Sequence, residues 1–96
     1  MDVHHIMELF ERYKQRNKIT SDKALAENLG ISKAYLCDIK KGRRRLSDKL
    51  GIFMAYSLGQ DPQQLLIELR VIYAKQAEEK ITWKKILVNW NRAQHI

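Results

Sequence analysis

The sequence predicts an all-α fold, and three observations carry that expectation. A chain of 96 residues holds only one Pro and four Gly. Its apolar residues recur at steps of three and four rather than in strict alternation. Residues that favour helix starts stand just ahead of most of these apolar stripes. The length suits one domain with one modest core.

The elements follow in order. Residues 2–16 make a first helix with Ile6, Leu9, Phe10 and Tyr13 on one face, and residues 17–20 link it to the next. Residues 21–42 read SDKALAENLGISKAYLCDIKKG. Ser21 caps a helix over 22–29 whose apolar face is Leu25, Ala26 and Leu29. Gly30 takes the left-handed conformation that ends it, and Ile31 is a buried turn residue. Ser32 caps a helix over 33–41 with Leu36 and Ile39 inward and Gly42 at its end. Ala26 is small enough for the two helices to cross closely. Two short helices joined this way make a helix-turn-helix layout, which presents its second helix to the major groove of DNA. Residues 42–46 form a basic loop. Ser47 caps a fourth helix that ends at Leu58 and Gly59, with Leu50, Phe53, Met54 and Leu58 facing inward. Asp61-Pro62 restarts the chain as cap and first turn. The fifth helix then carries Leu65, Leu66, Leu69, Ile72, Tyr73 and Ala77 on its apolar side. A break falls at Lys80–Thr82, and Thr82 caps a last helix with Trp83, Ile86, Leu87 and Trp90 in one stripe.

Charge adds a direction. The formal net charge is +7, and it is concentrated. Between Gly30 and Leu50 stand Lys33, Lys40, Lys41, Arg43, Arg44, Arg45 and Lys49, opposed only by Asp38 and Asp48. A solvated surface would explain such a run alone. At the end of a helix that presents itself to DNA, the run suits a polyanion.

On these residues the chain resembles the Cro/repressor type of helix-turn-helix, the lambda-repressor-like group of phage and bacterial regulators. The resemblance rests on Leu25-Ala26, Leu29-Gly30-Ile31, Ser32 and Ile39 ahead of Gly42. It continues through the Arg run, Leu46-Ser47, and Ala55, Leu58 and Gly59. It implies a compact five-helix DNA-binding domain over residues 1–69 and a C-terminal helical extension over 70–96 that packs on the same domain. The extension also resembles that of phage-associated regulators. One departure concerns Asp22, which stands where family members often carry a Gln that touches phosphate and braces the recognition helix. Lys40 and Lys41 stand where a Glu is often found.

The resemblance implies base readers at Lys33, Ala34, Tyr35 and Asp38, and helix geometry puts 34, 35 and 38 opposite Leu36 and Ile39. Lys33 can donate to guanine, Ala34 can touch a thymine methyl, and Asp38 can accept from cytosine. Asp38 reads equally as an intrahelical partner of Lys40 or Lys41. Ser32, Lys40, Lys41, Arg43, Arg44 and Arg45 are the expected phosphate ligands, with at least one Arg only solvated. Cys37 reads as a partly buried filler in preference to a redox switch. Leu66, Leu69, Tyr73, Ile86, Leu87 and Trp90 are the expected homodimer contact, with Leu87 and Trp90 nearest the twin.

Other classes are disfavoured. His4, His5 and His95 with Cys37 have no metal spacing, and no phosphate loop, nucleophile elbow or His-Glu motif occurs. No enzyme, cofactor, metal or small-molecule ligand is therefore expected. There is no long apolar run and no signal-peptide pattern in MDVHHIMELF. A single Cys excludes an internal disulfide and suits a reducing, cytoplasmic setting. The expected function is sequence-specific binding of double-stranded DNA as a homodimeric transcriptional regulator, a phage or prophage repressor on a palindromic operator. The alternatives are an antitoxin-type or other protein-binding module that also carries a helix-turn-helix, and a basic nucleic-acid binder without sequence preference.

Overall fold

Five helices begin on a side chain that accepts a hydrogen bond from the helix's own first turn, which satisfies one of the amides a helix start leaves free. Asp2 accepts from the His4 amide at 3.0 Å, Ser21 from Ala24 at 3.1 Å and Ser32 from Tyr35 at 3.0 Å. Ser47 accepts from Leu50 at 3.2 Å and Asp61 from Gln63 at 2.9 Å. The structure is a computed structural model that describes residues 2–94, and His95 lies outside it. The described residues form α1 (Val3–Arg16), α2 (Asp22–Leu29), α3 (Lys33–Lys40), α4 (Asp48–Ser57), α5 (Pro62–Tyr73) and α6 (Ala77–Gln94), with no strand among them. None of these helices is long and apolar enough to cross a membrane.

The helix ends follow equally local chemistry. Gly30 is left-handed at φ 70°, and the Ile31 amide then donates to the Ala26 carbonyl at 3.0 Å. Lys18 does the same at the end of α1 with φ 56°, and the Ile19 amide donates to Lys14 at 2.8 Å. Gly42, at φ 76°, ends α3 where the N-terminus of α1 arrives, and a Cβ there would stand 3.2 Å from Val3 Cγ2. Gly51 lets α4 lie close on α5, since a Cβ at that position would meet Leu69 at 3.3 Å.

One core joins α1 to α5. Ile6 and Phe10 from α1, Leu25 from α2, Leu36 and Ile39 from α3, Met54 from α4, and Leu65 and Leu69 from α5 are all buried. Burying each such side chain contributes about 1.5–3 kcal/mol. α5 runs unbroken across the expected 69/70 boundary, and α6 packs along it. Trp90 closes the far end of that pair by donating its indole N–H to Asp61 at 3.3 Å.

Three expectations are corrected. Phe53 is 53% exposed, because Leu50, Gly51, Met54 and Ala55 already fill the inward side of α4. Its ring leans on Tyr13 instead, 6.3 Å between centroids. The expected break at Lys80–Thr82 is continuous helix, and the chain breaks at residues 74–76. Ala74 is extended there at ψ 127°, which ends α5. Glu78 and Glu79 then occupy the first turn of α6, where acids favour a helix start. Thr82 lies inside that helix and donates to the Glu78 carbonyl at 2.8 Å. Ala77 belongs to α6 rather than to the apolar side of α5.

Among the described residues one charged side chain is taken into the interior. Glu68 is 3% exposed on α5 and is held by His5 at 2.5 Å and by Gln64 at 3.2 Å. His5→Ala leaves one oxygen of a buried carboxylate without its partner. It is expected to lower the unfolding free energy by about 1 kcal/mol, at the low end because water can enter where His5 stood. Urea denaturation measures this, and Glu68→Leu combined with His5→Ala is expected to recover part of the loss.

Candidate nucleic-acid interface

α3 is only eight residues long, and burial of Leu36 and Ile39 decides which side of it faces out. Lys33, Ala34, Cys37 and Lys41 are exposed along that outer side. Tyr35, Asp38 and Lys40 lie at its flanks and are partly covered. Cys37 is exposed rather than a partly buried filler, since it points away from both Leu36 and Ile39.

Asp22 holds α3 in place. Its carboxylate accepts from Lys40 at 2.8 Å and from Lys14 at 3.4 Å, so one acid joins α1, α2 and α3. The hydrogen bond from Lys40 keeps the Asp22 carboxyl below the usual carboxylate range, against partial desolvation and with help from the charge of Lys40 and from Lys14. Asp22 thus braces α3 by ion pairing. Lys40, expected to bind phosphate, is engaged in that brace.

The basic loop over residues 41–47 is held by two tyrosines from different helices. Tyr35 on α3 donates its hydroxyl to the Arg45 carbonyl at 2.8 Å and accepts from the Ser47 amide at 3.2 Å. Tyr73 on α5 accepts from the Leu46 amide at 2.8 Å. Burial, chiefly, pushes the Tyr73 hydroxyl pKa up, which keeps it protonated. Each ring also carries one arginine. Arg44 lies over Tyr35 at 4.6 Å and Arg45 over Tyr73 at 5.5 Å. The Asp38 carbonyl accepts from the Arg43 amide at 2.8 Å and from the Arg44 amide at 3.3 Å.

The expected site residues therefore divide. Lys33 and Ala34 share the exposed face of α3, and Ser32 caps that helix. Tyr35 has its hydroxyl committed to the loop. Asp38 stands 4.0 Å from Arg44, not beside Lys40 or Lys41. Lys41 and Arg43 are exposed and join no ion pair among the described residues. Arg44 rests on Tyr35, and Arg45 turns toward the end of α5, where it donates to the Tyr73 carbonyl at 3.5 Å.

The expected dimer residues divide too. Leu69 is 1% and Leu87 7% exposed, so both are corrected to contacts within one chain. The reason is that α5 and α6 close on each other. Leu66, Tyr73 and Trp90 are half-buried, and Ile86 is 40% exposed. Besides Ile86, α6 leaves Ile81 and Val88 open, seven apart on the opposite side from Trp83 and Trp90, with Lys84, Lys85 and Arg92 around them. Neither Ile81 nor Val88 was singled out from the sequence; their seven-residue spacing was the signal that could have found them. Among the described residues no group of three or more His, Cys, Asp or Glu could hold a metal ion. No protein-family model, curated protein or solved structure matches the chain.

Two outcomes are expected. Tyr73→Phe keeps the ring beneath Arg45 but leaves the buried Leu46 amide without its acceptor. Hydrogen exchange at that amide should accelerate, and stability should fall by about 1 kcal/mol. The second concerns acid. The Asp48 carboxyl is also held low, first by its hydrogen bond from Arg70. Carboxyls with lowered pKa bind fewer protons folded than unfolded, so both acids stabilise the fold at neutral pH and lose this as pH falls below about 4. Asp22→Asn is expected to flatten the acid limb of a stability-against-pH curve, modestly, because the group is partly solvated.

Proposed function

We propose that the chain binds double-stranded DNA sequence-specifically and regulates transcription as a homodimer on a palindromic site. The observation that carries this reading is the joining of two surfaces. An exposed α3 face with two lysines and two small residues runs directly into an arginine loop held rigid by Tyr35 and Tyr73. Such a face fits helix-turn-helix docking, in which the second helix meets base edges while the loop after it meets phosphate. A loop ordered before binding loses little further freedom on contact.

Four side chains of one short helix specify few base pairs, and two-fold pairing of half-sites about 34 Å apart is the usual remedy. Occlusion of polymerase by such a dimer would make the protein a repressor, of the phage or prophage kind that the sequence resembles. The exposed Ile81 and Val88 favour a second reading, a protein-binding module of antitoxin type. Mass measured alone and with duplex separates the two: a stoichiometry of two chains per duplex supports the first.

Selection of duplexes from a random pool is expected to return paired half-sites with one preferred sequence. Arg43→Ala with Arg44→Ala should weaken binding to every duplex alike and make the slope of log affinity against log salt shallower by roughly 1 for each phosphate no longer held. Lys33→Ala should instead relax one base position in each half-site. An unchanged salt slope in the arginine variant, with no sequence recovered from the pool, contradicts the proposal.

A further inference from the structure

With Leu69 and Leu87 buried inside one chain, a homodimer needs another surface. Among the described residues two apolar faces stay open. The face on α6 holds Ile81 and Val88 among Lys84, Lys85 and Arg92. The face on α4 holds Phe53, half-exposed, and Tyr56, 72% exposed, which stand side by side because they are three residues apart on a helix. Beside these rings is a hollow of about 320 Å³, walled by Leu50 and Phe53 and by Leu29 and Ile31 of the turn between α2 and α3. A protruding aromatic next to an apolar hollow suits a two-fold contact, since each copy supplies both the knob and the hole.

Charge decides which face can meet its own copy. Pairing two α6 faces sets three cations of one chain against three of the other, and like charges across a contact repel. The α4 hollow is lined by one charged side chain, Lys49, in the first turn of the helix. Just past the other end of α4, Gln60 accepts from Arg12 at 3.2 Å, and Arg12 shares a surface of α1 with Glu8 and Glu11. Antiparallel pairing of two α4 helices therefore brings each Lys49 toward the acidic side chains of the twin. Ser47 on the rim of the hollow is tied to Tyr35, so a twin seated here also adjoins the basic loop.

Area sets the strength of the contact. The open parts of two aromatic rings offer about 200–300 Å² per chain. Even with the walls of the hollow added, this falls short of the roughly 800 Å² per partner of a standard interface. The contact is that of a weak dimer, which a duplex strengthens by holding two half-sites side by side.

We propose that the α4 face docks a second copy of this chain, with Phe53 and Tyr56 of each copy packed against the hollow of the other. The proposal rests on the homodimer reading and names the surface that joins the two chains.

The test uses the full chain, first free and then on the duplex recovered from a random pool. Sedimentation of the free protein should show a reversible monomer–dimer equilibrium with a dissociation constant of roughly 10–100 µM. In a mixture of isotope-labelled and unlabelled protein, NOEs between chains should join the Phe53 and Tyr56 rings to Leu29 and Ile31. Tyr56→Glu changes an exposed position, so folding is not at stake. It should weaken self-association about tenfold or more, and should weaken binding to the paired site more than to an isolated half-site. Ile81→Glu with Val88→Glu should leave self-association unchanged. NOEs between chains at Ile81 and Val88 instead, or a Tyr56→Glu protein that self-associates as tightly as the unaltered one, overturn the α4 face while the homodimer stands. A chain that is monomeric both free and on the duplex overturns the face and the homodimer together and leaves DNA binding intact. A pool without a preferred duplex overturns the DNA-binding reading alone, because the free protein still decides the face.

Discussion

The outward face of α3 depends on the burial of Leu36 and Ile39. A helix of eight residues does not hold itself together in water, and its last and first turns leave amides and carbonyls unsatisfied. α3 persists because those two side chains enter a core shared with α1, α2, α4 and α5. Once they are buried, a rotation of 100° per residue leaves Lys33, Ala34, Cys37 and Lys41 no other direction than outward. The same burial places Lys40 against Asp22, and that pair ties α3 to α2.

The loop after α3 poses an electrostatic difficulty. Three adjacent arginines and Lys41 repel one another, and a flexible loop would spread them. Hydrogen bonds to backbone groups hold the loop more than its single long ion pair, Arg44 with Asp38 at 4.0 Å: two tyrosine hydroxyls and the Asp38 carbonyl secure residues 43–47. Ring faces then carry two of the three guanidinium groups without neutralising them. Positive potential is thus kept while the backbone is fixed. Tyr73 extends this support to α5, so the α5–α6 pair is mechanically joined to the basic loop.

What could be read in the sequence was chemistry confined to a few residues. Each capping Ser or Asp acts within its own first turn, and Gly30 and Gly42 act on the carbonyls just behind them. Those signals located α1 to α4 and the start of α5 closely, while the end of α5 at Tyr73 carried no such signal. Contacts between distant residues were not legible. Tyr35 meets Ser47 and Tyr73 meets Leu46 across 12 and 27 positions, and no local pattern distinguishes a tyrosine that holds a loop from one that reads a base. Phe53 fitted the apolar spacing of α4, but Gly51 brings α5 so near that the buried side shifted away from it. Thr82 had the identity of a cap and a competing hydrogen bond available to the carbonyl four residues back. Leu69 and Leu87 were apolar on both readings, and whether an apolar stripe closes on its own chain or on a twin is a matter of packing that spacing does not encode.

The most direct measurement is a titration of isotope-labelled protein with a short duplex, followed by the backbone amide signals of each residue. Shifts should concentrate in α3 and residues 42–47, and the amides around Ile81 and Val88 on the far side of α6 should stay in place. Shifts confined to α6, with the signals of Lys33, Ala34, Cys37 and Lys41 unmoved, would contradict a DNA-facing α3.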